Sequence, residues 1–276
     1  MEFTIPKCIV PEESPPPFRF YIIFHKFLTP IAYEKLSTHY LQKYCRFIGV
    51  NASIEKHVDP SFYPLLFEEQ QLPNYNPFLQ HNKFCESSVF IHTYKNAQLL
   101  LDPYEFVGFL QYDMVLEDEM FETIEYTLKN LPNPEKKFFF HFAENSARHL
   151  LQIIDGEGWA VVIDMYNKIF STHHTLDEIL NANIPLYHTY LIPKQIFKKM
   201  MGFAEMVIPH LFGMLGFDTR HMPYHLERLH GIFLALQTMD GHIDMWIRLP
   251  GLEHRNDLKD PWQEIENAKY TSTVTP

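Results

Sequence analysis

The chain has 276 residues, 46% hydrophobic and 15% aromatic, which is ample core-forming material and sets a disordered chain aside. Its formal charge is −11, with 34 acidic against 23 basic residues, so it is not built to grip a nucleic-acid backbone, which needs clustered Lys and Arg. Three cysteines without CxxC spacing read as reduced thiols, and neither a signal peptide nor a membrane-spanning run of about 18 apolar residues is expected.

Residues 1–17 carry Pro11, Pro15, Pro16 and Pro17 and read as an extended lead-in. Phe18 to Phe24 is aromatic and β-branched, a first strand that ends at His25-Lys26. Spacing of Ile31, Leu36, Tyr40, Leu41 and Tyr44 predicts a helix over 30–44, and Cys45 to Val50 a second strand ending at Asn51. Strand, helix, strand in about 30 residues points to a βαβ unit with a parallel sheet. Residues 57–82 read as loop. A helix is expected over 85–96, and a third strand runs Phe106-Val107-Gly108-Phe109-Leu110 into Gln111-Tyr112-Asp113. The acids Glu117, Asp118 and Glu119 read as the solvated start of the next helix, which Leu131-Pro132-Asn133-Pro134 stops. Lys137 to Phe142 is a strand candidate and Trp159 to Phe170 a helix. Tyr190 to Phe217 reads as a broken helical segment, His225 to Gln237 as the last helix, and 251–276 as a polar tail. Neither an internal repeat nor a linker interrupts 18–250, so the expectation is one mixed α/β domain with a mainly parallel sheet.

Several polar groups fall where chemistry is possible. Ligands of open α/β sheets sit beyond the carboxyl ends of the strands, so Asp113 either caps a turn or holds a divalent cation against phosphates, with Gln111 on the same side of the strand. His25 and Lys26, and more weakly Asn51, end strands in the same way. In Asp155-Gly156-Glu157-Gly158-Trp159 two acids and an indole suit a sugar, although a glycine turn before a helix explains the stretch as well. Sixteen histidines raise a metal reading, but HExxH is absent and Pro223 separates His221 from His225. One histidine among His221, His225, His230 and His242 completing a site with Asp113 fits better than a zinc cluster. Glu227 opens an amphipathic helix, as the helix dipole favours, and is also placed to act as a general base.

In order, three stretches resemble a known family. Glu86 to Met114 ("ESSVFIHTYKNAQLLLDPYEFVGFLQYDM") resembles the signature leading into "YIGFxHYR" of a domain of unassigned function in bacterial lipopolysaccharide and capsule glycosyltransferases, with relatives in large DNA viruses. "YHTYLIPKQIFKKMMGFAEMVIPHLFGML" and "HMPYHLERLHGIFLAL" resemble its two later segments. The resemblance implies a GT-A-type, Rossmann-like α/β domain using a nucleotide-sugar, with Mn²⁺ or Mg²⁺ on a D-x-D-like acid. Carried over by position, Gln111-Tyr112-Asp113 becomes a degenerate D-x-D, with Asp113 where the family has Arg, and Glu227 takes the place of the family's Glu. The expectation is a glycosyltransferase moving a sugar from a nucleotide-sugar, UDP-linked and a pentose such as xylose or a hexose, to a glycan hydroxyl with inversion. Its base would be Glu227, then Asp155 or Glu157; its donor site His25, Lys26, Asn51, Gln111, Tyr112 and Asp113; its metal ligands Asp113, Gln111 and His221. A cytoplasmic location, that of a host if the viral relatives are the guide, accompanies this reading. A catalytically silent nucleotide- or carbohydrate-binding module and a His/Asp metallohydrolase stay open beside it.

Overall fold

Every residue of Phe18–Phe24 is buried, which is what a strand covered on both faces requires. Even Arg19 is enclosed, its guanidinium bonded to Glu12 at 2.8 Å and to the Lys43 carbonyl at 2.9 Å. This strand, β1, lies inside a seven-stranded sheet. The computed structural model describes residues 5–80, 84–144, 147–152, 157–216 and 221–254. Within them β2 is Cys45–Gly49, β3 Leu66–Glu68, β4 Phe106–Gln111, β5 Lys137–Phe140, β6 Tyr190–Pro193 and β7 Met245–Arg248. The order across the sheet is β7-β5-β6-β4-β1-β2-β3. Pairings β1–β2, β1–β4, β2–β3 and β5–β7 are parallel, and β6 runs antiparallel to both its neighbours. The architecture is therefore α/β with a mainly parallel central sheet.

Helices cover both faces. On one, α2 (Ser87–Lys95), α4 (Glu157–Phe170), α5 (Lys194–Leu215) and α6 (Met222–Met239) bring Phe90, Trp159, Phe197 and Leu229 against Tyr21, Phe109 and Tyr190. On the other, α1 (Thr38–Tyr44) and α3 (Asp118–Asn130) bring Tyr44, Phe121 and Ile124 against Phe18, Phe20 and Leu110. Gly108 sits opposite Phe20 in the β1–β4 register, and a Cβ there would lie 2.3 Å from the Phe20 ring. The glycine in the apolar run thus makes room for a phenyl group in a close-packed layer. No helix among the described residues is long and apolar enough to cross a membrane.

Several sequence expectations shift. The helix expected over 30–44 is a 3-10 turn, Pro30–Tyr33, followed by α1, whose Ser37 cap accepts from the Tyr40 N–H. The loop of 57–82 contains β3, a three-residue edge strand too short for a periodic signal. Tyr190–Pro193 is a strand, not helix: its four residues are fully buried between β4 and β5, and Pro193 then leads into α5. Pro209 leaves α5 continuous, and Pro223 sits in the first turn of α6, where a missing N–H costs nothing. The acids at 117–119 do begin a helix: Asp118 and Glu119 lie in the first turn of α3, and Asp118 Oδ1 accepts the Ser37 N–H at 2.7 Å. Beyond Pro250, Leu252–His254 forms a short strand antiparallel to Met114–Leu116.

Candidate active site

The order of the strands locates a crevice. From β1 the chain steps outward to β2 and β3, then returns to lay β4 on the other side of β1. Such a reversal leaves a crevice beyond the carboxyl ends of the two strands that flank it. A cleft of about 830 Å³ opens there, lined by His25 just after β1, by Gln111, Tyr112 and Asp113 at the end of β4, and by Glu227 and Arg228 of α6.

Asp113 is 1% exposed, and its Oδ2 meets His254 Nε2 at 3.1 Å. The strand pairing of 252–254 with 114–116 brings them together, because His254 stands opposite Met114. The histidine beside Asp113 is therefore His254, from the segment read as tail. His221 caps the start of α6 and is not among the residues lining the cleft; His225 and His230 are buried, and His242 is exposed on the far side of α6's end. Gln111 donates Nε2 to the Tyr187 carbonyl at 3.2 Å. A carboxylate and an imidazole give a cation two protein ligands; a site of that kind takes the rest of its shell from water and substrate phosphates, as Mg²⁺-type sites do. Among the described residues no group of three or more His, Cys, Asp and Glu gathers as a metal site, so a metallohydrolase-type cage has no counterpart there.

His25 Nε2 lies 3.4 Å from Glu86 Oε1, next to the start of α2. Burial alone would raise the Glu86 carboxyl, but the His25 contact and the nearby His188 outweigh it and hold it at about 2. Lys26 turns away, its ammonium 4.8 Å from the Phe27 ring, and does not line the cleft. Asn51, with φ of +59°, lines a smaller hollow of about 100 Å³ that shares His25 and Cys85 with the cleft, and its Oδ1 accepts from Ser53.

Glu227 and Arg228 face the cleft from α6. Glu227 Oε1 accepts the Tyr187 N–H at 2.5 Å, and Oε2 is 2.8 Å from Arg228 Nη1. Arg228 is 7% exposed; its Nη1 is ion-paired with Glu227, while its Nε has no hydrogen-bond partner among the described residues. A buried guanidinium short of acceptors is a ready anion site. His188, at the end of the same turn, bonds His230 at 3.1 Å, and burial pushes both imidazoles down, His230 strongly. Of the two other acids expected as bases, Asp155 lies outside the described residues and Glu157 opens α4. Trp159 is 1% exposed and belongs to the core, so the indole expected to pack on a sugar does not reach a surface.

The strained backbone clusters here too. Of the six non-glycine residues with positive φ among the described residues, Cys85 (+43°), Tyr187 (+65°) and His188 (+50°) line the cleft. Left-handed backbone costs of order 1 kcal/mol or more at such residues and persists where the surroundings impose it. Sequence reasoning missed His254, Arg228, Glu86 and Tyr187. Arg228 alone carried a signal, an arginine within an apolar helix face.

No protein-family model matches the chain, and no curated protein sequence does. Among solved structures, mouse xyloside xylosyltransferase 1 in its apo form aligns over 84% of this chain and 84% of its own, with 12% identity and a TM-score of 0.37. The galactosyltransferase LgtC, in complex with donor and acceptor sugar analogs, aligns over 93% and 97%, with 8% identity and a TM-score of 0.33.

Proposed function

We propose that the protein is a glycosyltransferase of the GT-A type that takes a sugar from a nucleotide-sugar. The observation that carries this reading is the convergence, at the switch point of a mainly parallel sheet, of the Asp113–His254 pair with Arg228, a buried guanidinium paired with Glu227 through Nη1 and with Nε unbonded among the described residues. A diphosphate needs positive charge on its oxygens as it leaves, and Arg228 supplies a fork of donors for them. Asp113 and His254, with Gln111 beside them, are the residues that would hold Mn²⁺ or Mg²⁺; when bound, such a cation neutralises diphosphate charge. His25 and Asn51 sit where the strand ends can meet the nucleoside.

Three acids line the cleft among the described residues: Glu86, Asp113 and Glu227. Glu86, held at about 2, is too weak a base to take a hydroxyl proton near neutral pH, and Asp113 is the acid proposed here for the cation. Glu227 is left as the acceptor's general base, with inversion at the sugar carbon. The donor as a UDP-linked pentose or hexose, and the cytoplasm as the location, belong to the same proposal. One observation favours the second reading, a binding module without turnover: both Glu227 oxygens already hold groups of the protein.

Assaying a panel of nucleotide-sugars for transfer and hydrolysis, with and without Mn²⁺, tests both. Transfer or hydrolysis of one donor is expected, and Asp113→Asn should lower it at least about a hundredfold while the circular dichroism spectrum is kept. Undiminished turnover in that variant removes Asp113 from the reaction; ligand binding without any turnover selects the module.

A further inference from the structure

Three of the large hydrophobic side chains left exposed in this chain line one cleft. Tyr224 is 50% exposed, Tyr187 42% and Phe142 37%, and all three border the cavity that holds Asp113 and Glu227. Single exposed apolar residues are ordinary on a protein surface, but several gathered around one concave site mark a ligand. The rings are also ordered among themselves. Phe142 and Tyr187 have centroids 5.4 Å apart at 50°, and Tyr187 lies 5.9 Å from the His254 ring at 22°.

Tyr187 is held in place at some cost. Its backbone sits at φ +65°, and that of His188 at +50°, two successive left-handed residues without a glycine. The peptide groups are pinned from two elements and from within the turn itself. The Tyr187 N–H donates to Glu227 Oε1 on α6, while its carbonyl accepts from Gln111 Nε2 at the end of β4 and from Thr189 Oγ1 at 2.9 Å. A strained residue clamped this way fixes where its ring points: it lies near-parallel to the His254 ring, with its own N–H on the proposed base.

We infer that Tyr187, Phe142 and Tyr224 form the acceptor platform of the transfer reaction, and that its occupant is an uncharged oligosaccharide; this inference rests on the glycosyltransferase reading above. A pyranose has a face of C–H groups that packs on an aromatic ring and a girdle of hydroxyls that bonds to nearby carboxylates, and the cleft offers both within one wall. Charge bears on the acceptor too: Arg228 is the one Lys or Arg among the described lining residues and is buried beside Glu227, so the described part of the rim offers no Lys or Arg to a sulfated, phosphorylated or uronic acid chain. A ring stacked on Tyr187 presents its hydroxyl beside Glu227, so the element that binds the acceptor and the group that takes its proton are joined by one hydrogen bond.

The test is saturation-transfer NMR and titration of the full chain with cellotetraose, maltotetraose and mannotetraose, alongside a separate titration with uridine diphosphate. At least one tetraose should bind, with saturation strongest at the C–H protons of one sugar face. Tyr224→Ala and Phe142→Ala should each weaken it roughly tenfold, the scale of one lost ring contact. Tyr187→Gly is the decisive variant: glycine suits a left-handed backbone, so the melting temperature should hold while oligosaccharide binding is lost. Uridine diphosphate affinity should stay as in the parent in the Tyr224 and Phe142 variants. Binding of a tetraose that all three variants leave unchanged overturns the platform, as does failure of every tetraose while uridine diphosphate binds. If neither the tetraoses nor uridine diphosphate bind, the glycosyltransferase reading falls with it.

Discussion

Glu69–His92 and Asp113–His254 are both histidine–carboxylate pairs, at 2.8 and 3.1 Å, set in very different surroundings. The first is sealed, with side-chain exposures of 1% and 0%, and every direction is satisfied. Ser88 Oγ donates to Glu69 Oε1, Gln80 Nε2 to Oε2, and the Asn76 N–H to His92 Nε2, which leaves the His92 Nδ1 proton pointing at the carboxylate. These bonds tie residues 69–80 to α2, and their closure marks a structural network. The second pair has its carboxylate 2% exposed and its imidazole 21%, and it looks onto the cleft. Chemical type does not separate the two. What separates them is whether the neighbours close the network or leave it open to a ligand.

Breaking the sealed pair should have the largest effect. Glu69→Ala strands several buried donors and is expected to cost about 3–5 kcal/mol in a urea titration; a loss within error would show that the network is not what anchors 69–80. The open pair should behave the other way. For His254→Ala, kcat/KM should fall about tenfold to a hundredfold, about 1.4–2.7 kcal/mol, with a nearly unchanged denaturation midpoint. A His254→Ala variant whose denaturation midpoint drops sharply while its specific activity under native conditions is kept would reverse the assignment of the two pairs.

A third pair sharpens the distinction in pH. Asp240 accepts from Tyr166 Oη at 2.5 Å and contacts His174 at 2.8 Å, bridging α4 and α6 away from the cleft. Burial would raise its carboxyl, but those two contacts win and hold it below the usual carboxylate value. A depressed carboxylate stabilises the fold above its unfolded value of about 4, and that contribution disappears as pH falls through the folded value. Asp240→Asn should therefore lower the melting temperature slightly at neutral pH and flatten its fall below about pH 4. An acid limb as steep as in the parent would remove Asp240 from that titration.

The sequence was legible where a period or a run exists. β1, β2 and β4 carry aromatic and aliphatic side chains and are buried but for Gln111 at the end of β4, and the amphipathic faces of α3, α4 and α6 lie in the periodic spacing of their apolar residues. Tyr190–Pro193 was misread because a four-residue strand running straight into a helix looks like the helix's first turn; only its burial between two strands decides. In the site, Asp113, Gln111, Tyr112, His25 and Glu227 were visible because they end a strand or begin a helix. His254 was not, since a histidine in a polar segment has no local mark, and 140 residues separate it from the strand it pairs with. Tyr187 was hidden for another reason: its left-handed backbone comes from hydrogen bonds across the fold, not from a turn signature.

The one antiparallel strand described in the central sheet bears on how specificity can change. Because β6 runs against its neighbours, Tyr190 stands beside Phe109 and Phe140 near their carboxyl ends, and the turn that feeds it, 186–189, opens on the same edge as His25 and Asp113. Loops that follow the parallel strands reach that edge from one direction; this one arrives from the other. Its backbone is fixed by Glu227 and Gln111, but the Tyr187 side chain is 42% exposed on the cleft. Under the proposed function, changing that side chain would recast the wall facing the second substrate while the β1 and β4 ends stay fixed.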